Sequence, residues 1–303
     1  MLVPVHLRDL LLDIAVHPRG QAHLSAASGM VQAGPWLYVV ADDEHHLGRF
    51  AASGEPAGPV YLHRVVSGDL PHDNDQRKRR KPDLEALALL PPQPGQPYGA
   101  LLALGSGSKL NRQQALVLPL DAEGKLQDAA RTVDLAGLYG ALAADFPRLN
   151  IEGAFVAGDR FCLLQRGNKG DTRNACIEYP LLPTLDWLAG RQREAPPASR
   201  ILHFALGEVD TIAWGFTDGA ALPGGGWIFS AVAEDTSDSY TDGRCAGSAL
   251  GWVSADGELQ RMLPLHGSPK VEGIAWAANG QLLMVTDADD PALASQLLAV
   301  TLV

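Results

Sequence analysis

The sequence predicts an all-β fold built from repeated units of about 60 residues. A short sequence motif occurs five times along the chain. Its key positions are Ser28, Glu85, Glu152, Asp210 and Glu272, and they are spaced 57, 67, 58 and 62 residues apart. The segments between these positions read as short apolar strands separated by turn signals. Repeats of this length and composition are typical of a β-propeller. We therefore predict five blades of four strands, or six blades if one long insertion conceals another blade.

The last repeat gives the strand pattern of one blade. Strands are predicted at residues 272–277, 282–286 and 296–302, and Asn279-Gly280 forms the hairpin turn between the first two. The repeat stops after this third strand. We expect residues 3–12 to supply the fourth strand, so that the two ends of the chain close the ring without an open edge.

The earlier repeats carry their own fourth strand. The outer strand of the first repeat is predicted at 60–66, and the outer strands of the second and fourth repeats at 131–135 and 259–265. Three long segments fall outside the pattern, namely 68–82, the proline-rich 183–197 with a helical turn near 185–188, and 234–247. The basic run at 77–81, inside the first of these segments, is predicted to be a solvated loop.

Composition limits the classes of function. The chain has 303 residues, a net charge of −11, 46% hydrophobic residues and 19% charged residues. These values predict one folded domain over residues 1–303 and argue against nucleic acid and anionic membranes as partners. Three cysteines without metal-ligand spacing predict buried, reduced thiols and a cytoplasmic protein.

The repeat also predicts a site. In a propeller blade the start of the first strand and the end of the second strand meet at the mouth of the central channel. Carboxylates at equivalent repeat positions should therefore converge there, and the four acids are Glu85, Glu152, Asp210 and Glu272. Converging carboxylates recruit a cation or raise one another's pKa, and oxygen ligands favour Ca²⁺, with Mg²⁺ as the alternative. The competing interpretation is that these acids bind backbone amides or pair with arginines between blades.

Further polar residues follow the second strands. We predict His45 and Asp287 as proton-transfer groups, and we predict an anion site made by Lys109, Arg166 and Asn168. The alternatives are that the histidine is a solvated surface residue and that the cations compensate the charge of the channel acids.

Three segments carry a resemblance to known propellers. Asp83-Leu84-Glu85-Ala86-Leu87, Asn150-Ile151-Glu152-Gly153-Ala154 and Val271-Glu272-Gly273-Ile274 resemble the Asp-x-Glu-Gly-Ile motif of the phytase-like esterase and SdiA-regulated families of bacterial propellers. The chain is more distantly similar to the gluconolactonase and paraoxonase group, and this similarity implies that axial Glu, Asn and Asp side chains hold calcium. Ser28, Ala86 and Asp210-Thr211 depart from the motif.

These observations lead to two functional hypotheses. The first is a hydrolase that binds a divalent cation and acts on an anionic ester, a lactone or a phosphate ester, with a small anionic molecule as its only expected partner. The second is a non-catalytic binding or scaffold propeller with a structural metal or none. An open channel mouth with a proton-transfer group favours the enzyme, whereas a plugged mouth or fully paired acids favour the scaffold. The oligomeric state stays open.

Overall fold

The computed structural model describes residues 1–13, 17–52, 60–127, 130–167, 171–235 and 245–302. Within these ranges the strands form five antiparallel sheets, arranged as the five blades of a β-propeller. The prediction of a five-bladed all-β propeller is confirmed.

The first three blades each contain four strands in chain order, after an initial strand β1 (Val5–Asp9). Blade 1 consists of β2 (Ala27–Ala33), β3 (Trp36–Ala41), β4 (His46–Ala51) and β5 (Tyr61–Arg64). Blade 2 consists of β6 (Leu84–Leu90), β7 (Ala100–Gly105), β8 (Gln114–Pro119) and β9 (Arg131–Asp134). Blade 3 consists of β10 (Ile151–Ala157), β11 (Arg160–Gln165), β12 (Asn174–Pro180) and β13 (Arg200–Phe204).

The last two blades depart from this simple order. Blade 4 has five strands, which are β14 (Glu208–Val209), β15 (Ile212–Ala221), β16 (Trp227–Glu234), β17 (Cys245–Val253) and β18 (Leu259–Pro264). Blade 5 contains β19 (Val271–Trp276), β20 (Leu282–Thr286) and β21 (Gln296–Val300), and β1 is its outer strand. Val5 pairs with Ala299 and Asp9 pairs with Gln296, so the predicted closure of the ring by the N-terminal strand is confirmed.

Each innermost strand contains a β-bulge, which lies near the start of the strand in blades 1, 2, 3 and 5 and in the middle of β15 in blade 4. The pairing register with the second strand shifts around one residue in every blade, and these residues are Ser28, Glu85, Glu152, Thr217 and Glu272. A bulge places two residues opposite one and changes the direction of a side chain. The repeat position is therefore a bulge, and three of its five occupants are glutamates.

Close packing between the inner strands explains the glycine that follows the glutamate. A Cβ atom on Gly153 would lie 2.9 Å from the Cα of Asp218, and one on Gly273 would lie 2.8 Å from the carbonyl oxygen of Ser28. In blade 4 the corresponding residue is Asp218, whose buried carboxylate accepts hydrogen bonds from the amides of Gly219 and Ile274. In the Glu-Gly motif, the glutamate therefore occupies the bulge and the glycine lies at the close contact with the neighbouring inner strand.

The apolar core lies between neighbouring blades. Five clusters of buried side chains fill these spaces, and the one between blades 3 and 4 includes Trp227, Cys162 and Cys176. Cys245 is half-buried, and all three cysteines are free thiols.

Two of the inserted segments form short helices. The helix α1 (Asn74–Arg80) begins after Asp73, whose carboxylate accepts a hydrogen bond from the amide of Gln76. The prediction of a solvated loop for the basic run is wrong, because the run lies in a helix with Arg77 buried against Asp43, and it ends at Lys81, whose side chain is only 11% exposed. Two further helices are α2 (Ala136–Gly140) and α3 (Leu181–Leu188), the latter in the proline-rich segment. None of the helices in the described part of the chain is both long and apolar enough to cross a membrane.

Candidate functional site

A cavity of about 950 Å³ lies at the mouth of the channel. Four bulge residues line it, namely Ser28, Glu85, Glu152 and Glu272. The fifth, Thr217, is buried, and its hydroxyl donates a hydrogen bond to the carbonyl oxygen of Val271 at 2.8 Å. The ends of the second strands contribute Asp42, Arg166, Glu234 and Asp287. The predicted meeting of strand starts and strand ends is therefore present.

One wall of the cavity is apolar. Tyr139 in α2, with Phe146 and Leu149 in the segment after it, faces the same space as Trp214 of β15. The hydroxyl of Tyr139 donates a hydrogen bond to the carbonyl oxygen of Gly105 at 2.7 Å, which fixes the ring at the end of β7. Tyr139 and Phe146 are only 2% and 1% exposed, so their rings border the cavity but present little surface to it.

The first part of the charged floor surrounds Asp83, and we call it the Asp83 corner. Lys81 Nζ lies 2.9 Å from Asp83 and also contacts Asp42, while Arg112 approaches Asp83 at 2.8 Å. Ser106 donates a hydrogen bond to the same carboxylate. Burial alone would raise the pKa of Asp83, but Lys81, Arg112 and this hydrogen bond outweigh it and lower the pKa below its ordinary value. Asp83 is therefore held as a carboxylate.

Glu85 lies beside the Asp83 corner, and its surroundings differ from those of Asp83. Within the described residues its carboxyl group has no hydrogen bond and no ion pair, although it faces the cavity and is partly exposed there. Burial, followed by the charges of Asp83, Glu152 and Asp42, raises the pKa of Glu85 well above its ordinary value. Two carboxyl groups separated by one residue thus have pKa values that are displaced in opposite directions.

The second part of the floor is a network around two buried cations, and we call it the Arg166–Lys270 network. Arg166 lies 2.8 Å from Glu234, 3.6 Å from Glu152 and 3.9 Å from Glu272. Lys270 lies 3.5 Å from Glu272 and 3.7 Å from Glu234, and it also contacts Asp287 and Asp289.

The pKa values of the acids in this network are raised. Burial, only partly offset by Lys270 and Arg166, raises the pKa of Glu272 to about 7. Burial likewise raises the pKa of Glu152 and of Asp287. The network therefore holds its acids close to cations without fully compensating the cost of their burial.

One group of acids could hold a metal ion. Asp42, Asp83 and Glu85 each offer an oxygen atom, and these atoms lie within 4.8 Å of one another. The spacing suits an oxygen-ligated cation with ligand distances of about 2.4 Å. Lys81, however, already places its ammonium group against two of the three acids, so a metal would have to displace it.

Some of the predicted site residues line the channel cavity and others do not. Glu85, Glu152, Glu272, Asp287 and Arg166 line one cavity. His45, which contacts the carbonyl oxygen of Gly68 at 3.0 Å, and Lys109 are not among the described residues that line it. Asn168 lies outside the described residues.

The placement of Asp210 at the repeat position is wrong. Asp210 and Thr211 form the turn of the hairpin between β14 and β15, and both have positive φ angles, 49° and 67°. The bulge of blade 4 comes seven residues later, at Thr217, because β15 is preceded by this extra hairpin. Asp210 still borders the cavity, but from the hairpin at its rim rather than from the floor.

Sequence reasoning assigned no role in the site to the residues two positions before the bulge glutamates. Asp83, Asn150 and Lys270 each stand two residues before a bulge glutamate. Asn150 donates a hydrogen bond to Glu152, and Lys270 pairs with Glu272. A polar residue at this offset was the signal that could have identified them.

Comparisons with known proteins support the fold. A glutaminyl cyclase from Myxococcus xanthus is similar over 99% of this chain and 98% of its own, with 12% identity and a TM-score of 0.50. An aldose sugar dehydrogenase from Streptomyces coelicolor, in its PQQ-bound form, is similar over 98% of both chains, with 15% identity and a TM-score of 0.49. A Bacteroides caccae protein of unknown function is covered over 65% of its length, and 83% of this chain, with 12% identity and a TM-score of 0.38. At 12% identity, the likeness to the glutaminyl cyclase supports the propeller fold and no particular activity.

No curated protein matches the chain in sequence. One family model does, and it spans residues 23–302, nearly the whole chain. The chain therefore belongs to the family of unknown function DUF6929.

Proposed function

We propose that this chain is a hydrolase that acts on a small ester, a lactone or a phosphate ester in the channel cavity. The observation that carries the proposal is the carboxyl group of Glu85, which faces the cavity without a partner among the described residues, next to the paired Asp83. Neighbouring acids whose surroundings separate their pKa values are suited to different catalytic roles. The motif resemblance to phytase-like esterases supports the same reaction class.

The two acids have complementary roles in this proposal. Water attacks the acyl carbon or the phosphorus, and the proton that it loses passes to the ionised Asp83. Glu85 gives its proton to the departing oxygen, so the products are an acid and an alcohol. Asp287 lies in the same cavity and stays a candidate for proton transfer, whereas His45 is not among the lining residues.

Ca²⁺, or Mg²⁺, is the proposed metal, and Asp42, Asp83 and Glu85 would hold it. The acids fit in type and spacing, but the ammonium group of Lys81 competes for two of them. A bound ion would supply Lewis acidity at the substrate oxygen. It would also make Glu85 a ligand, so the metal-bound and metal-free forms of the proposal assign this residue different roles.

Hydrolysis by matched variants tests the proposal. We expect wild type to cleave members of a panel of aryl esters, lactones and aryl phosphates, and Glu85→Gln to reduce kcat by roughly 10²–10⁴-fold because the proton donor is lost. Glu258→Gln, at an exposed position in blade 4, should retain full activity. Equal activity of Glu85→Gln and wild type would contradict the proposal.

Thermal melts with calcium and with a chelator test the metal. A bound ion stabilises the folded state by about 2.7 kcal/mol when its free concentration is a hundred times Kd. We expect Glu85→Gln to weaken this response and Lys81→Met to strengthen it, since Lys81 competes with the ion. A calcium response unchanged in both variants would remove the ion from this corner.

The alternative function is a non-catalytic binding propeller. It is favoured by the Arg166–Lys270 network, in which the glutamates of blades 3 and 5 already pair with cations. Absence of turnover across the panel, together with strong destabilisation by Arg166→Met, is the outcome that would support it.

A further inference from the structure

Two serines follow strand β7 at the edge of the Asp83 corner. Ser106 is fully buried, whereas Ser108 is half-buried and lines the channel cavity. The two hydroxyl oxygens lie 2.8 Å apart, and Ser106 Oγ also contacts the carboxylate of Asp83. A continuous chain of hydrogen bonds therefore runs from the wall of the cavity to a buried carboxylate.

The direction of this chain follows from the number of donors. A hydroxyl group carries one hydrogen atom. Ser106 donates its hydrogen atom to Asp83, so towards Ser108 it can only accept. Arg112 Nη1 donates to Ser108 Oγ at 2.9 Å, which leaves the hydrogen atom of Ser108 available for Ser106. Both serine protons therefore point along the chain towards the carboxylate.

Backbone contacts hold the two serines in place. The amide of Ser106 donates to the carbonyl oxygen of Asp83 at 3.0 Å, and its carbonyl oxygen accepts from the amide of Ile151 at 2.8 Å. Between the serines, Gly107 has a φ of 76°, and a Cβ atom there would lie 2.8 Å from the ring of Tyr139. The turn therefore requires glycine and is anchored to β10 and to the segment before β6, and such rigid support is what a catalytic side chain needs.

The surroundings of Ser108 suit an attacking oxygen. The guanidinium group of Arg112 lies 2.9 Å from Ser108 Oγ and 2.8 Å from Asp83. A positive charge at this distance stabilises the negative charge that develops on the oxygen as its proton leaves. Asp83 can take that proton, because its lowered pKa keeps it ionised at neutral pH. Glu85 lines the same cavity and can give a proton to the departing group.

We propose that Ser108 is a catalytic nucleophile that forms an acyl-enzyme intermediate with a carboxylic ester or a lactone. The inference rests on the proposed hydrolase function, and it divides that reaction into two steps, with Ser108 in place of water in the first.

In the first step a bond forms between Ser108 Oγ and the acyl carbon. The proton of Ser108 passes to Ser106, and the proton of Ser106 passes to Asp83. The bond between the acyl carbon and the departing oxygen breaks, and that oxygen takes the proton of Glu85.

In the second step water attacks the acyl carbon and gives a proton to Glu85. The bond to Ser108 Oγ breaks, the proton on Asp83 returns to Ser106, and the proton on Ser106 returns to Ser108. The protein regains its starting state, and one water has been consumed for each ester bond cleaved.

Covalent labelling tests the inference without turnover. Phenylmethylsulfonyl fluoride and an alkyl fluorophosphonate transfer a sulfonyl or a phosphonyl group to an activated serine, with loss of fluoride. We expect each reagent to add one group to the wild-type protein, and peptide mass mapping to place this group on Ser108. Ser108→Ala should stay unlabelled, whereas Ser67→Ala, at an exposed position that does not line the cavity, should be labelled as wild type is.

The variant Ser106→Ala tests the proton relay. It keeps Ser108 but lacks the hydroxyl group that links Ser108 to Asp83. We expect the maximal rate of labelling to fall roughly 10²–10⁴-fold, as for loss of a general base, while the reagent concentration that gives half of this rate stays unchanged. A purely structural role of Ser106 would lower the Tm and leave the labelling rate of the folded protein unchanged, and that result would overturn the relay.

Ester hydrolysis by Ser108→Ala separates this inference from the proposed function. We expect the variant to lose hydrolysis together with labelling. Full hydrolysis by Ser108→Ala, or a wild-type protein that cleaves esters but takes neither label on Ser108, would leave the proposed function standing and overturn this inference alone. Labelling of Ser108 in a protein that cleaves no ester would support the nucleophile and contradict the proposed function.

Discussion

At the scale of single residues, Glu272 shows how burial and pairing oppose each other. Its carboxylate lies 3.5 Å from Lys270 and 3.9 Å from Arg166, yet burial raises its pKa to about 7. The two cations also form ion pairs with Glu152 and Glu234, so the charge of each cation is shared among several acids. Folding therefore favours the protonated form of Glu272.

The difference between the folded and unfolded pKa values of Glu272 makes the free energy of unfolding depend on pH. The ordinary pKa of Glu272 is 4.5 and the folded value is about 7, so its stabilising contribution is complete below pH 4.5 and is lost as the pH rises through 7. The loss is on the order of 3 kcal/mol or less. We expect Glu272→Gln to remove this part of the pH dependence of the free energy of unfolding, measured by urea denaturation from about pH 4 to about pH 8. Identical pH profiles for Glu272→Gln and wild type would contradict the assignment.

The sequence predicted some of these residues and not others. Glu85, Glu152 and Glu272 follow from the repeat because a bulge aims each of them at the channel. The cations Lys81 and Lys270 do not follow, because their pairing depends on contacts across blades. Lys81, for example, joins Asp42 of blade 1 to Asp83 at the start of blade 2.

At the scale of elements, the hairpin between β14 and β15 is the main departure from the repeat. The sequence of this hairpin resembles the other copies of the motif. The hairpin, however, contains a two-residue turn, and both turn residues have left-handed backbone conformations. Such turns favour Asn-Gly, and a β-branched residue at positive φ is strained. Periodicity alone could not separate this turn from a strand start.

Relief of the strain should be measurable. We expect Thr211→Gly to raise the free energy of unfolding by about 0.5–1 kcal/mol, because glycine accepts φ near 67° at less cost than the flexibility it adds to the unfolded chain. Thr132→Gly in the exposed strand β9 is the matched control and should lower stability by about 1 kcal/mol. Destabilisation by both substitutions in chemical denaturation would contradict the strained turn.

At the scale of the whole molecule, closure of the ring joins the two ends of the chain. The strand β1 covers the edge of β21, and Leu10 and Leu12 continue into the core between blades 5 and 1. This part of the fold was predictable, because a last repeat with three strands leaves one edge for the other end of the chain to cover.

Removal of residues 1–9 should open that edge. We expect a lower Tm and concentration-dependent light scattering, because the backbone groups of β21 become available to other chains. The double variant Val5→Ser, Leu7→Ser changes exposed side chains but keeps the backbone pairing, so it should stay within about 0.5 kcal/mol of wild type. A truncated protein as stable and as monodisperse as wild type would show that closure contributes little.

The central claim is that the cavity raises the pKa of Glu85 well above its ordinary value and lowers the pKa of the neighbouring Asp83. Carboxyl-carbon NMR titration of the labelled protein measures both groups, and the Glu85→Gln spectrum assigns the Glu85 signal. The account predicts that Glu85 titrates well above 4.5 and Asp83 below 3.8. A Glu85 signal that titrates at or below 4.5, without added metal, would contradict the claim.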